Sequence, residues 1–309
     1  MKYHIDTDMG VDDGLALVLA SKLIDVCAIS TTFGNVDVET ATRNALIFRM
    51  LLGRDASWKV WKGAKCARDG FHLEVPDIHG IDGLGGATRD LDDKILSETS
   101  AADVLLLADA SRPGLDSITL IGIGPATNIP SIVSLYGRSA VKRIVLMSGA
   151  FFDVGNITPF SEFNAHNDPF ALKEILKLRI PVTFVPLDVC RKIQITRNSM
   201  EQYGKIDKSE LAQLLSKSHM WYMDFYRRWE GIDGCFPHDA IAILVALKPD
   251  EFVGVTGRVS VDCSVEFRGK TRVFIRRSSK TTIITGGNLK WAREEIQRML
   301  SGAIAESVL

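Results

Sequence analysis

The stretch Asp6-Thr7-Asp8-Met9-Gly10-Val11-Asp12-Asp13 places four carboxylates within eight residues. A short apolar run at 3–5 precedes it and an apolar-periodic run begins at 12. The first reads as a strand and the second as a helix, so the acids sit where one hands over to the other. Two unit charges about 4 Å apart repel by about 4 kcal/mol at an effective dielectric near 20. Several such pairs at one point require a cation or raised pKa values. The start of a helix favours Asp12 and Asp13 by ~0.3–1 kcal/mol each, which leaves Asp6 and Asp8 unexplained. A hard-cation site covers all four, and donors that are all oxygen select calcium or magnesium over zinc.

Outward from this point the same handover repeats. Strands are expected at 3–5, 26–31, 58–61, 118–123, 143–147 and 182–185. Helices are expected at 12–23, 38–52, 101–110, from 126, and at 168–176. This alternation predicts an α/β fold, an open, mostly parallel central sheet with helices on both faces, doubly wound. The second half is more helical, with helices at 210–229, 238–247 and 288–300. A hairpin or pair of edge strands is expected at 252–261 and 271–275, and a last strand at 281–284. No linker, repeat or shift in composition divides the chain, so residues 1–309 are read as a single domain. The Gly-rich segment 65–93 and the gap 230–237 break the rhythm. Such loops serve as active-site lids or as plain surface excursions, and both readings stay open.

In open α/β sheets ligands bind beyond the carboxyl ends of the strands. The loops after the expected strands carry Phe33-Gly34-Asn35, Gly124-Pro125-Ala126-Thr127-Asn128 and Met147-Ser148-Gly149-Ala150, with Asn156 to Asn164 a little beyond. Each is an ordinary turn taken alone; together they direct polar groups to one rim. A formal net charge of -1, from 37 basic and 38 acidic residues, excludes the basic excess of a nucleic-acid or membrane binder. The five scattered cysteines are read as reduced, buried thiols. No signal-peptide pattern opens the sequence and no apolar run is long enough to span a bilayer, so the expected location is the cytoplasm.

These segments, with Phe236-Pro237-His238-Asp239 later in the chain, closely resemble the inosine–uridine preferring nucleoside hydrolase family. The resemblance implies a fold of nucleoside hydrolase type and calcium-dependent cleavage of ribonucleosides to ribose and free base, with an inosine/uridine or pyrimidine preference. It implies Asp8, Asp13, Asp239 and the carbonyl of Ile123 as calcium ligands, with Asp6 supporting them. Asp12 is then the base that activates metal-bound water, and His238 the acid that protonates the leaving base, suited to neutral pH by a pKa near ~6.5. Asn35, Asn156, Glu162 and Asn164 are implied as ribose binders, with Met147 beneath the sugar and Phe163 within the same motif. His79 lines the base pocket. Tyr222 and Tyr226, at helical spacing, contact the base or belong to the core. The partner is a small nucleoside, and the resemblance implies a homodimer or homotetramer.

Two residues depart from the family pattern. Met9 stands where Pro is common and Gly14 where Ala is common; neither removes a ligand, and both bear on how the metal loop is held. Two rival readings remain at this point. Asp6-Thr7-Asp8 is loosely similar to the acceptor motif of the haloacid-dehalogenase phosphatases, which are magnesium-dependent. The same fold also suits a calcium-dependent nucleoside sensor without catalysis.

Overall fold

The computed structural model describes residues 1–100, 104–111 and 113–301. Among these residues eleven strands are present: β1 (Lys2–Thr7), β2 (Asp25–Thr31), β3 (Lys59–Lys62), β4 (Ile118–Gly122), β5 (Val141–Met147), β6 (Val182–Val185), β7 (Ile195–Thr196), β8 (Gly234–Cys235), β9 (Phe252–Val261), β10 (Thr271–Ile275) and β11 (Thr281–Gly287). Nine of them form one sheet in the order β10-β9-β11-β6-β5-β4-β1-β2-β3, and β7 pairs with β8 in a separate ribbon. From β3 across to β11 every neighbour is parallel. Only β9 runs antiparallel, between β10 and β11, so the expected hairpin forms the sheet edge.

The central strands read as continuous apolar runs because both of their faces are covered; β4, Ile-Thr-Leu-Ile-Gly, is buried throughout. One face packs against helices Val11–Leu23, Val38–Leu52, Glu210–Glu230, His238–Leu247 and Leu289–Leu300. The other packs against Ile129–Tyr136 and Pro169–Lys177. Helix His238–Leu247 is apolar all round and buried from His238 to Ala246, as a helix enclosed by other elements must be.

Over the described residues 104–110 the helix expected at 101–110 does not form. Residues 101–103 lie outside the described chain, and Leu107–Asp109 makes a single 3-10 turn. The helix lies earlier instead, at Asp93–Ser100. A second unexpected helix, Arg197–Ile206, buries only Met200, Tyr203 and Gly204, an apolar stripe too thin to show as periodicity. Of the cysteines, only Cys190 and Cys235 are buried; Cys27, Cys66 and Cys263 are half-buried, and all five are free thiols.

Candidate active site

Strand order reverses direction between β1 and β4, and a crevice opens beyond the carboxyl ends of two strands whose connections leave to opposite sides. Asp8 follows β1 and Ile123 follows β4, which brings them to this crevice. Helix Val11–Leu23 starts there, and the Asp13 carboxylate in its first turn accepts from the Gly10 N–H at 2.8 Å. Thr7 Oγ1 at 2.5 Å and Asn35 Nδ2 at 3.1 Å also donate to Asp13. Asp8 Oδ2 accepts from the Asn35 N–H at 2.8 Å, while Asp8 Oδ1 is buried with no partner among the described residues. Gly34, at φ +155°, makes room: a Cβ there would come within 2.0 Å of Asp8 Oδ2.

Asp12, Asp13 and Asp239 each offer an oxygen within 4.8 Å of the other two. Burial and the neighbouring carboxylates hold Asp8, Asp12 and Asp239 well above the ordinary carboxylate range. Burial also raises Asp13, against the pull of its three donors. A buried carboxylate cluster with an orphaned oxygen fits a divalent oxygen-seeking cation, whose charge would remove the cause of those shifts. Asp6 lies behind the cluster. Its Oδ1 accepts from Ser30 Oγ and from Asn128 Nδ2 at 2.9 Å, and burial lifts its pKa to about 7. It is fully buried and does not line the cleft, which removes the phosphoryl-acceptor reading of Asp6-Thr7-Asp8.

A cleft runs from this cluster, lined among others by Asp12, Asn35, His79, Tyr222 and His238. Every site residue expected from the sequence lines it except Asp6, Asp8 and Asp13, which are buried. At the acidic end Asn164 Nδ2 donates to the carbonyls of Ile123 and Met147, both at 3.0 Å. Among the described residues Asn164 Oδ1 is left buried without a partner. The Ile123 oxygen keeps a second lone pair. Glu162 has a role the sequence did not announce: it is the N-cap of helix Phe163–Asn167. Its carboxylate accepts from Asn164 N at 2.7 Å, Ala165 N at 2.9 Å and Gly149 N at 2.9 Å. Asn156 Oδ1 accepts from Phe163 N at 2.9 Å, tying its loop to the same helix.

The far end is aromatic. His79 packs on Tyr222 at 5.1 Å between ring centres, and its Nδ1 accepts from Val11 N at 3.0 Å. Segment 65–93 is therefore a wall of the site, stiffened where Asp82 accepts from the N–H groups of Leu84 and Gly86. Tyr222, Tyr226 and His238 form a chain, with Tyr222 Oη to Tyr226 Oη at 3.4 Å and Tyr226 Oη to His238 Nε2 at 3.0 Å. The two tyrosines thus line the cleft from a core-facing stripe. His238 Nδ1 is buried with no partner among the described residues. The expectation of a His238 titrating near neutrality is corrected: burial, with the nearby Arg191 charge, lowers it to about 3. Arg191, Phe225 and Glu230 also line the cleft and escaped the sequence reading. The one available signal was that Arg191 follows β6 at the rim where the other loops converge.

The sheet, its switch point and the acidic cleft define the class. The description of the inosine-uridine preferring nucleoside hydrolase family matches residues 3–295, and the chain belongs to that family. It is 29% identical over 265 residues to uridine nucleosidase 1 of Arabidopsis thaliana, covering 84% of this chain and 78% of that protein. It is 32% identical over 264 residues to the pyrimidine-specific ribonucleoside hydrolase RihA of Photobacterium profundum, covering 84% and 83%. The solved purine-preferring ribonucleoside hydrolase from Gardnerella vaginalis superposes with a TM-score of 0.85 at 26% identity, over 99% of this chain and 100% of that one. The protein is a nucleoside hydrolase.

Proposed function

We propose that this enzyme cleaves the N-glycosidic bond of ribonucleosides, with uridine and inosine as substrates, in a calcium-dependent reaction. The observation that carries this reading is one cleft with an acidic cluster at one end and a neutral imidazole–phenol chain at the other. Asp8, Asp13, Asp239 and the Ile123 carbonyl are the groups that would hold calcium. When bound, the ion supplies Lewis acidity and a seat for water and for a ribose diol.

Cleavage builds positive charge on the ribose ring, in a transition state like that of glycosidases. A carboxylate-lined pocket favours that state over the neutral substrate, so its stabilisation is differential. Asp12 faces the cleft beside the carboxylates that would hold the ion, which makes it the base that takes the water proton. Asn164 Oδ1, lacking a partner, is placed to accept from a ribose hydroxyl. His238 acts as a neutral imidazole: with the Tyr226 hydroxyl donating to Nε2, the proton resides on Nδ1, and as it is given to the departing base Nε2 takes up the Tyr226 hydroxyl proton, so that the imidazole stays neutral. Such proton donation contributes ~10²–10⁴-fold. A sensor would need no carboxylate at Asp12 beside the ligand groups, so Asp12 separates an enzyme from a binder.

The test is release of free ribose from inosine, uridine, cytidine and adenosine, with and without a calcium chelator. Release from uridine and inosine, abolished by the chelator, is expected. Asp12→Ala is expected to abolish turnover while retaining ribose-like ligands, and Asp239→Ala to lose both calcium and activity. Hydrolysis surviving in Asp12→Ala would remove the base assignment, and full calcium occupancy in Asp239→Ala the ligand assignment.

A further inference from the structure

The cleft carries two ionic groups that the chemistry above leaves without a role. Arg191, in the loop after β6, is 22% exposed on its side chain. Its Nη1 donates to the Val154 carbonyl at 2.8 Å and pairs with Asp153 at 3.2 Å. Among the described residues its Nε and Nη2 have no partner. Glu230 closes helix Glu210–Glu230, is exposed, and makes no hydrogen bond or ion pair among the described residues. It lies one turn beyond Tyr226 and two beyond Tyr222, so all three share a helix face. Its neighbours in the cleft are therefore the aromatic groups at the far end, and its exposure and that of Arg191 mark the mouth. The Arg191 charge is felt at both Glu230 and His238.

A guanidinium has only donors, and an ionised carboxylate only acceptors. We infer that Arg191 and Glu230 read the outer edge of the leaving base as a donor–acceptor couple, selecting bases whose edge carries a carbonyl beside a ring N–H. Uracil and hypoxanthine present that edge, the carbonyl to Arg191 and the N–H to Glu230. Cytosine and adenine present an amino group beside a bare ring nitrogen, which sets donor against donor and acceptor against acceptor. When the glycosidic bond breaks, its electron pair stays on the base and delocalises onto the same carbonyl oxygen, which the guanidinium faces. This inference rests on the proposed nucleoside hydrolysis and assigns to Arg191 and Glu230 the preference for uridine and inosine over cytidine and adenosine.

The experiment is kcat/KM for the four nucleosides on the calcium-loaded wild type, Arg191→Met, Glu230→Gln and Asp153→Asn, with p-nitrophenyl β-D-ribofuranoside on the wild type. Hydrogen bonds to charged groups imply wild-type ratios of roughly ten- to a hundredfold for uridine over cytidine and inosine over adenosine. Arg191→Met and Glu230→Gln should each collapse both ratios toward unity. Asp153→Asn, which cuts the ion pair but keeps the guanidinium, should preserve them. Uniform losses that leave the ratios intact in Arg191→Met and Glu230→Gln would show that the pair only holds its loops, and the inference falls. Wild-type cleavage of the nitrophenyl riboside without a preference among nucleosides also overturns it, while hydrolysis stands. No cleavage of any riboside removes both.

Discussion

His4 shows how one buried residue writes its environment into the stability of the enzyme. It sits on β1 with Nε2 3.0 Å from Ser30 Oγ and Nδ1 3.2 Å from Tyr136 Oη, and burial lowers its pKa to about 3. The folded value lies below the unfolded one near ~6.5, so the unfolded chain takes the proton first. The contribution of His4 is whole above pH ~6.5 and is lost as pH falls from there toward about 3. At pH ~5 the loss amounts to ~2 kcal/mol. Urea unfolding of wild type and His4→Gln should show the stability gap between them narrowing by that amount from pH 7.5 to pH 5; a constant gap would contradict it. Met9 makes a different point. It adopts φ 46°, and its N–H donates to Thr7 Oγ1 at 3.1 Å. Proline, common there in the family, has neither the φ nor the N–H. The metal loop is therefore held here in its own way, and Met9→Pro should cost ~3 kcal/mol or more and weaken calcium binding, read by thermal melting and calorimetric titration.

At the scale of elements, the second departure is a packing exchange. Gly14 lies inside helix Val11–Leu23, where glycine costs ~1 kcal/mol relative to alanine. A Cβ at that position would meet Phe48 Cζ at 2.5 Å, and Phe48 is fully buried on helix Val38–Leu52. The ring occupies the space an alanine methyl would take. Gly14→Ala should therefore destabilise by ~1–3 kcal/mol despite its better helix propensity. Adding Phe48→Leu should recover part of that loss, giving a favourable coupling in a double-mutant cycle by urea unfolding. Additive effects would show that the two side chains do not compete for the same volume. The elements the sequence misplaced share a cause. Arg197–Ile206 is helical because it docks on helix Glu210–Glu230, not because of a strong pattern of its own. Tertiary packing overrides weak periodicity in such segments.

For the whole molecule the dominant tension is the acidic cluster. Asp8, Asp12, Asp13 and Asp239 have folded pKa values above their unfolded ones. Each therefore stabilises the metal-free enzyme at low pH, a contribution lost as pH rises past the ordinary carboxylate range through the raised folded values. A cation that holds them ionised offsets that loss, and a ligand specific to the folded state raises stability by mass action. The rise in Tm on adding calcium to chelator-treated enzyme should be larger at pH 7.5 than at pH 5, by differential scanning calorimetry. An equal rise at both pH values would show that these carboxylates are not the calcium site.

The acidic end of the cleft and the parallel sheet were legible in the residues because both are local. Asp8 to Asp13 are neighbours in the chain at a strand-to-helix junction, and short apolar runs alternating with amphipathic ones permit few other topologies. The base end was legible only through the family resemblance and only in part, because His79, Arg191, Tyr226, Glu230 and His238 come from loops and helices far apart in sequence. Which of them face one cavity depends on how helix Glu210–Glu230 packs over helix Val11–Leu23. Protonation followed the same division. The sequence by itself determined that carboxylates gather at one point, and so that a cation is called for. That His238 is neutral, that Glu162 caps a helix and that Arg191 lines the cleft came from the folded structure alone, because burial and partners are properties of the folded chain.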